Sequence, residues 1–260
     1  MKPTIKKLAQ PLAKLFLSLG YDPRKTLALR HFPKYRTQYK EFERLGGKVT
    51  NRFMVLNDFD DQAGTAKGHY FHQDLLVASM IHEQNPERHV DIGSRIDGFV
   101  AHVAAFRKIE VIDVRDLAHT GHDNIVFMKA DLMDATRAPK EITDSLSCLH
   151  VIEHFGLGRY GDPIDPFGHI KGFNNIVGML KPGGTLFISF PIANQNQVHF
   201  NAHRVFHPKD ILSWSDQPDS LKLERFDYVD DAGDLHKNVN LGDTQIDVEY
   251  GCGIYTFKKI

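Results

Sequence analysis

The densest group of chemically reactive side chains in the sequence is one stretch, residues 150–169, which reads HVIEHFGLGRYGDPIDPFGH. Its glycines and prolines predict a loop, and binding residues concentrate on loops that a rigid scaffold holds. Histidine has an unperturbed pKa of about 6.5, so it is suited to accept a proton at neutral pH. We predict that His154 is a general base, with Glu153 or Asp162 as an orienting group or alternative base. A structural histidine at the end of a strand is the competing interpretation.

Two further interpretations of this stretch involve metal ions. The segment from His150 to His154 matches the H-x-x-E-H pattern of inverted zinc metallopeptidases, which requires both histidines on one face of a helix. The preceding SLSCL is typical of a strand, and Gly156 would end a helix almost at once. The sequence therefore disfavours a peptidase. A divalent ion that assists deprotonation stays open as an alternative, although we assign no residue to a metal site. Its candidate ligands are His150, His154, Asp162, Asp165 and His203.

A second stretch, residues 88–117, predicts a strand, a turn, a helix and another strand. Asp91 ends the first strand, Gly93 lies in the turn, and Asp113 ends the second strand. In such right-handed parallel units, ligands bind beyond the carboxyl ends of the strands. A carboxylate about 20 residues after a glycine turn is suited to bind ribose hydroxyls. The pattern predicts a cofactor pocket at this edge.

Composition sets the class of protein. The 260 residues, with 42% hydrophobic and 25% charged, can bury a full core and indicate one α/β domain with an appendage. Residues 1–50 carry 12 Lys and Arg against 3 Asp and Glu, so a basic arm precedes an acidic body. Cys148 and Cys252 lie in apolar runs without paired spacing, which predicts buried thiols in a reducing compartment. With no apolar run of about 18 residues, we expect a cytoplasmic protein.

The periodicity predicts an N-terminal helical extension, residues 1–68, and a Rossmann-like domain, residues 69–260. Residues 5–19 form one apolar helical face, which could lie on an anionic membrane surface or pack on the body or a second subunit. The remaining predicted elements follow in chain order: a helix at 34–46, a strand at 52–56, a helix at 70–83, strands at 89–92, 109–112, 124–128 and 146–149, a helix at 168–180, and strands at 185–190, 223–229 and 253–257. Alternating strands and helices predict a mixed, mostly parallel, doubly wound sheet.

From about residue 88 onwards, the chain resembles the class I S-adenosylmethionine-dependent methyltransferases. Four segments carry the resemblance in order and spacing: VDIGS, VIDVR, KADLMD, and SLSCLHVIEHF followed about 25 residues later by MLKPGGTLFISFP. The segment HRVFHPKDILSW is also similar to one that these enzymes often carry after the fifth strand. The resemblance implies a seven-stranded Rossmann-like fold and S-adenosylmethionine as cofactor.

The resemblance also implies roles for individual residues. The cofactor would contact Asp91, Gly93, Ser94, Arg95, Asp113, Asp131, Leu132 and His150, with Asp113 on the ribose hydroxyls, Asp131 and Leu132 beside the adenine, and His150 near the sulfonium. The chemistry of the loop itself, and not the resemblance, predicts His154, Glu153, Asp162 and His203 as catalytic residues. The acceptor substrate would contact Arg159, Tyr160, Asn201 and Arg204.

The glycine-rich turn departs from the DxGxGxG pattern of the family. Arg95 and Asp97 replace the later glycines and place side chains where the backbone usually approaches the ligand. Arg95 could pair with the cofactor carboxylate, with Asp97, or with a phosphate of a different ligand. A nucleotide-sugar-dependent, glycan-modifying enzyme on the same fold is therefore an alternative.

For the acceptor, the polar and basic character of the loop favours O-methylation of a sugar or glycan intermediate. We expect no aromatic cluster near the fourth strand to clamp a flat base, and no nucleic-acid partner, because the basic arm lacks interleaved stacking residues. A non-catalytic module that the N-terminal arm recruits to a membrane is the remaining alternative. The sequence makes no prediction of the oligomeric state.

Overall fold

The computed structural model describes residues 24–60 and 63–260. These residues divide into two compact units, with the boundary between Thr65 and Ala66. The amphipathic segment of residues 5–19 lies outside the described residues, and the assignment of residues 1–68 to a helical extension stays a prediction. No helix within the described ranges is long and apolar enough to cross a membrane.

The smaller unit is helical. Its elements are α1 (Arg24–Leu27), a 3-10 turn (Ala28–His31), α2 (Phe32–Arg44) and a second 3-10 turn (Asn57–Asp60). The predicted helix at 34–46 is therefore confirmed. The strand predicted at 52–56 is wrong, because these residues form no regular element and Phe53, Met54 and Val55 are exposed. An apolar run is not enough to make a strand when no neighbouring strand pairs with it.

The larger unit is built on an eight-stranded sheet. Its strands are β1 (His89–Ile92), β2 (Ile109–Asp113), β3 (Ile125–Lys129), β4 (Thr143–Leu149), β5 (Leu180–Ile192), β8 (Leu221–Val229), β9 (Leu235–His236) and β10 (Gly251–Lys259). The order across the sheet is β3-β2-β1-β4-β5-β10-β8-β9. The first five strands are parallel, and β10 is antiparallel to both β5 and β8. The predicted Rossmann-like, mostly parallel sheet is confirmed; the short edge strand β9 makes it eight strands instead of seven.

Helices cover both faces of this sheet. One face packs against α3 (His69–Gln84) and the segment formed by a π-helical turn (Ile96–Val100) and α4 (Ala101–Ala104). The other face packs against α5 (Gly168–Met179) and an aromatic group that includes Trp214. The predicted helices at 70–83 and 168–180 agree with α3 and α5 to within about one residue at each end. Both cysteines are free and buried, as the sequence predicts.

A small antiparallel hairpin lies apart from the main sheet. It consists of β6 (Gln197–His199) and β7 (His203–Val205), and the sequence analysis did not predict it. The strands have only three residues each, so they carry almost no periodic signal. The hairpin brings His203 and Arg204 back towards the end of β4.

The start of β1 carries a histidine in the sheet interior. His89 is buried, with Nδ1 2.8 Å from the Ser145 hydroxyl and Nε2 3.1 Å from the Ser147 hydroxyl on the adjacent β4. Burial lowers the pKa of His89 to about 3. Two residues later, burial raises the pKa of Asp91 to about 6, against hydrogen bonds from Ser147 and Ser94 that lower it.

These two groups are expected to affect acid stability in opposite directions. His89 takes up a proton below about pH 6.5 in the unfolded chain, but only near pH 3 in the folded chain. The stability that the neutral, buried His89 contributes to the folded state is therefore lost as the pH falls from 6.5 to 3. Asp91 is protonated below about pH 6 in the folded chain, but only below about pH 3.8 in the unfolded chain. The stability that the protonated Asp91 contributes to the folded state is therefore lost as the pH rises from 3.8 to 6.

We expect His89→Gln to reduce the slope of the unfolding free energy against pH between pH 4 and 6, by up to about 1.4 kcal/mol per pH unit. Urea unfolding at several pH values measures the slope.

Asp91→Asn is expected to change the same slope in the opposite sense. The exposed His122→Gln serves as the control, because it removes a histidine without removing a buried one. Equal slopes for the wild type and His89→Gln would contradict this account of the buried strand.

Candidate functional site

A cavity of about 520 Å³ opens beyond the carboxyl ends of β1, β2 and β4. This is where the strand order reverses direction, with β1 and β4 adjacent in the sheet, and ligands of open α/β sheets bind at such a position. The volume lies within the roughly 300–1,000 Å³ typical of small-molecule sites. Of the predicted site residues, those that line the cavity are Gly93, Ser94, Arg95, Asp113, Asp131, Leu132, His150, His154, Tyr160 and Asp162.

The turn after β1 is held by a buried carboxylate. Asp91 accepts hydrogen bonds from the Ser94 amide at 2.9 Å, the Ser94 hydroxyl at 2.7 Å and the Ser147 hydroxyl at 2.6 Å. The Gly93 amide donates to the Ile112 carbonyl at 2.8 Å. Asp91 itself is fully buried and does not line the cavity. The amides of Gly93 and Ser94 thus hold the turn in place and are already engaged within the protein.

Gly93 needs to be a glycine for two reasons. Its φ is +63°, in the left-handed region that favours glycine, and a Cβ at this position would come within 2.9 Å of Val151 and 3.7 Å of the Asp113 carboxylate. The absence of a side chain keeps the space between the turn and Asp113 open. That space is a cradle in which a ligand can lie directly against the backbone.

The carboxylate at the end of β2 is paired with a nearby arginine. Asp113 accepts bonds from the Arg115 guanidinium at 3.0 and 2.6 Å and from the Arg115 amide at 2.8 Å. The guanidinium carbon also lies 4.4 Å from the centre of the Tyr160 ring. Arg115 therefore lies between the Asp113 carboxylate and the Tyr160 ring. A ligand hydroxyl can bind Asp113 through a carboxylate lone pair that Arg115 leaves free, or after the Arg115 side chain moves away.

The departure in the glycine-rich turn also has a structural explanation. Arg95 pairs with Asp97 through bonds of 3.2 and 2.9 Å, and both side chains are exposed. Gly98, the next glycine, adopts a non-helical conformation, and a Cβ there would lie 2.8 Å from the carboxylate of Asp74 on α3. Of the three partners that the sequence left open for Arg95, the structure shows Asp97.

His154 has the environment of a neutral base. It lies in a single 3-10 turn (Ile152–His154) after β4, and its Nδ1 is 2.7 Å from the Ala202 carbonyl. Since a carbonyl can only accept, Nδ1 carries the hydrogen and Nε2 keeps its lone pair. Burial lowers the pKa of His154, while the Glu153 carboxylate works against this shift. The 3-10 turn is also too short to place two histidines on one helical face, so the H-x-x-E-H interpretation fails.

His150 and Glu153 form a buried pair beneath His154. Nδ1 of His150 is 2.9 Å from the Glu153 carboxylate, and both side chains are almost fully buried. Burial lowers the pKa of His150, but the neighbouring Cys252 and Glu153 more than offset this, and the pKa lies above its usual value. His150 also adopts a φ of +55°, which is strained for a residue with a side chain.

Several predicted site residues have structural partners instead of a place in the cavity wall. Arg204 is buried and donates to the carbonyls of Phe155, Asp165 and Pro166. Arg159 donates to the Ala202 carbonyl at 3.1 Å. Asp162 does line the cavity, but its carboxylate accepts hydrogen bonds from the amides of Gly156, Gly158 and Tyr160. Asn201 lies in the turn between β6 and β7, with a φ of +64°. The His203 ring lies 6.4 Å from the His154 ring.

The sequence analysis missed a group of aromatic rings beside the end of β4. The ring of Tyr70 lies 5.0 Å from that of His150, His69 stacks on His150 at 5.3 Å, and Tyr250 lies 5.5 Å from His69 and 5.7 Å from His203. The expectation of no aromatic cluster near the fourth strand is therefore wrong. Tyr70 and its neighbours at the start of α3 carried a weak signal, because that helix precedes β1, but nothing in the sequence marks Tyr250.

Known structures superpose on the larger part of this chain. A candidate sarcosine dimethylglycine methyltransferase from Galdieria sulphuraria superposes with a TM-score of 0.53 at 12% identity, covering 85% of this chain and 97% of that one. The [4+2]-cyclase SpnF gives a TM-score of 0.51 at 14% identity, covering 72% of this chain and 81% of that one. YcgJ from Bacillus subtilis gives 0.50 at 12% identity, with 72% and 98% covered.

The chain has the class I methyltransferase fold. At these identities the likeness concerns the fold alone, and one of the neighbours is a cyclase. A family model described as Caenorhabditis protein of unknown function, DUF268, matches residues 106–211, which is less than half of the chain. No curated protein matches the chain. Within the class I fold, the family segment thus runs from the end of α4 through β2 and β4 to the segment after β7.

Gly93→Ala tests the cradle. We expect the strained φ and the approach to Val151 to lower the free energy of unfolding by about 1–3 kcal/mol. Gly178→Ala is the matched control, because Gly178 lies in the last turn of α5 with nothing within 4 Å of an added Cβ. That substitution should change stability by less than about 1 kcal/mol. Urea unfolding measures both, and equal effects would contradict the role assigned to Gly93.

Proposed function

We propose that this protein is an S-adenosylmethionine-dependent methyltransferase. The observation that carries the proposal is the cavity at the switch point of a class I fold, with the Gly93 cradle on one side and the Asp113 carboxylate on the other. The residues fit the group, since Gly93 presents bare backbone at the cavity wall beside the Asp113 carboxylate. When bound, the cofactor supplies an electrophilic methyl group on a sulfonium sulfur. The Galdieria neighbour, a candidate methyltransferase, is consistent with this chemistry.

The residues of the cavity suggest how the cofactor is held. Asp113 is positioned to accept hydrogen bonds from ribose hydroxyls, and Asp131 and Leu132 are positioned beside the adenine, at the edge of the cavity next to β3. Ser94 and His150 line the opposite end, near the reacting methyl group. Asp91 acts indirectly, because its buried carboxylate fixes the turn that Gly93 and Ser94 form.

The proton of the acceptor is taken up by His154 in this proposal. A hydroxyl oxygen becomes a stronger nucleophile as its proton leaves. His154 lines the cavity, and its Nε2 lone pair is free to accept that proton because Nδ1 is bonded to the Ala202 carbonyl. The Ala202 carbonyl holds the ring in the required tautomer. The Glu153 carboxylate, 3.9 Å from Nε2, stabilises the imidazolium that results.

The acceptor is proposed to be a polar, hydroxyl-bearing molecule such as a sugar or glycan intermediate. Support comes from the surroundings of His154. The Tyr160 ring, which lines the cavity, lies edge-on to the His154 ring at 5.5 Å, and the His203 ring, outside the cavity wall, lies edge-on to it at 6.4 Å. Rings with polar edges offer both stacking area and hydrogen bonds. Methyl transfer to oxygen, in particular, rests on the presence of a neutral base beside the cavity.

A nucleotide-sugar ligand is the second candidate, because two arginines line the cavity. Arg95 and Arg115 would both be available to bind phosphates. Each guanidinium, however, is already paired with a carboxylate, Asp97 or Asp113. A diphosphate would therefore have to displace two ion pairs, which favours the methyl donor as ligand.

Asp113→Asn tests the cofactor. Isothermal titration calorimetry should show S-adenosylmethionine binding to the wild type and a loss of affinity of roughly 10- to 100-fold in the variant, because a hydrogen bond to a charged acceptor contributes about 1.5–3 kcal/mol. Asp123→Asn is the control, since Asp123 is exposed in the loop between β2 and β3 and does not line this cavity. An absence of wild-type binding at millimolar cofactor, with stabilisation by a nucleotide-sugar instead, would favour the second candidate.

His154→Asn tests the base. Transfer of a labelled methyl group to a panel of sugars, phenols and amines should fall about 10²- to 10⁴-fold in kcat, while the cofactor Kd stays within about threefold. Because burial lowers the pKa of His154, the wild-type rate should rise with pH below 6.5 and then level off. The exposed His122→Asn is the control. An unchanged rate in His154→Asn would reject this residue as the base.

A further inference from the structure

We propose that His69, His150 and Cys252 form a binding site for a divalent transition-metal ion of the zinc type. One ring nitrogen of each histidine and the sulfur of Cys252 lie within 4.8 Å of one another. Residues 24–60 and 63–260 contain no other group of three or more His, Cys, Asp or Glu side chains with this spacing. The three residues come from the start of α3, the end of β4 and the beginning of β10, so only the folded chain brings them together.

His150 is prepared for metal binding by its neighbour. Its Nδ1 is held by the Glu153 carboxylate at 2.9 Å, whereas its buried Nε2 makes no hydrogen bond of normal geometry and lies beside the Cys252 thiol. This is the arrangement of metal-bound histidines, in which a carboxylate on one ring nitrogen fixes the tautomer and strengthens the other nitrogen as a ligand. A buried nitrogen without such a bond is rare in proteins and points to a missing ligand.

The donor set selects the metal. Two imidazole nitrogens and a thiolate suit Zn²⁺, Co²⁺ or copper and do not suit Mg²⁺ or Ca²⁺, which prefer oxygen ligands. Bond lengths of about 2.0–2.1 Å to nitrogen and 2.3 Å to sulfur place tetrahedral donors about 3.4–3.6 Å apart. The donors, which lie within 4.8 Å of one another, must therefore approach by at most about 1–1.4 Å. Cys252 is fixed in the sheet, so His69, which is only partly buried and stacks on His150 at 5.3 Å, is the ligand that must tilt.

The site is distinct from the metal ligands that the sequence offered as an alternative. Of those five residues only His150 belongs to the group. The others have different partners: His154 the Ala202 carbonyl, Asp162 the amides of Gly156 and Gly158, Asp165 the Lys171 ammonium group and the Phe167 amide, and His203 the Tyr250 hydroxyl at 3.4 Å.

The site adjoins the cavity through one of its three ligands. His150 also lines the cavity, and three protein ligands leave a fourth tetrahedral position open for water or for an oxygen or sulfur atom of a substrate. A zinc ion with three protein ligands and one open position is the arrangement of catalytic sites, whereas structural sites have four protein ligands. The proposal is independent of the methyl donor, since it concerns only the binding of the ion.

The test uses Co²⁺ as a spectroscopic probe on the full chain. Protein treated with a chelator is titrated with Co²⁺, and the visible absorption and the thiolate-to-cobalt charge-transfer band are followed; Zn²⁺ content after dialysis is measured by mass spectrometry. We expect one ion per chain. Cys252→Ala should abolish the charge-transfer band and weaken binding at least about 100-fold, and Glu153→Gln should weaken it about 10- to 100-fold while keeping the band.

Cys148→Ala is the matched control, because Cys148 is the other buried cysteine and lies outside the group. It should keep both the stoichiometry and the band. His69→Ala is the deciding variant if Cys252→Ala does not fold by circular dichroism, since His69 is partly exposed; it should keep the band and lose about 100-fold in affinity. A wild-type stoichiometry well below one, or equal loss in the Cys148 and Cys252 variants, would overturn the proposal.

Discussion

The site depends on one buried carboxylate, that of Asp91. A carboxylate without solvent is stable only when hydrogen bonds replace the lost hydration, and three such bonds come from Ser94 and Ser147. Two of them fold the turn after β1 back onto its own strand, and the third ties that strand to β4. The Ser94 hydroxyl then accepts from the Leu149 amide at 3.3 Å. The cradle at Gly93 and the histidine wall after Leu149 are therefore fixed relative to each other by a single charged group that never contacts the cavity.

The regular elements of the larger unit could be predicted because they repeat. Apolar residues recur at helical spacing in α3 and α5. Short, largely apolar segments form β1, β2 and β4, which are mostly buried, as expected for strands that are covered on both faces. The ends of those strands placed Gly93, Asp113 and His154 at one edge of the sheet, and the structure puts all three on the cavity wall. Elements of two or three residues, such as β6, β7 and β9, are too short for this reasoning.

Pairings between distant residues could not be predicted. Cys252 reaches His150 because β10 inserts antiparallel between β5 and β8, and strand order is not encoded in periodicity. Arg204 looked like a substrate-binding cation, yet it is buried and satisfied by backbone carbonyls; a sequence shows the charge of a side chain but not its partners. Asp162 is similar, since its carboxylate caps backbone amides of its own loop.

The class I fold and the chemistry of this chain are separate questions, because the same fold supports a [4+2]-cyclase. In this chain, two groups of residues meet at His150. One side of that residue faces the cavity with the cradle and Asp113, and the other faces His69 and Cys252. The Glu153 carboxylate is hydrogen-bonded to His150 and also lies 3.9 Å from Nε2 of His154. One buried carboxylate therefore influences both His154, the proposed base, and the group of His69, His150 and Cys252. A change in charge at either site must therefore be felt at the other, since the low dielectric of the interior screens it only weakly.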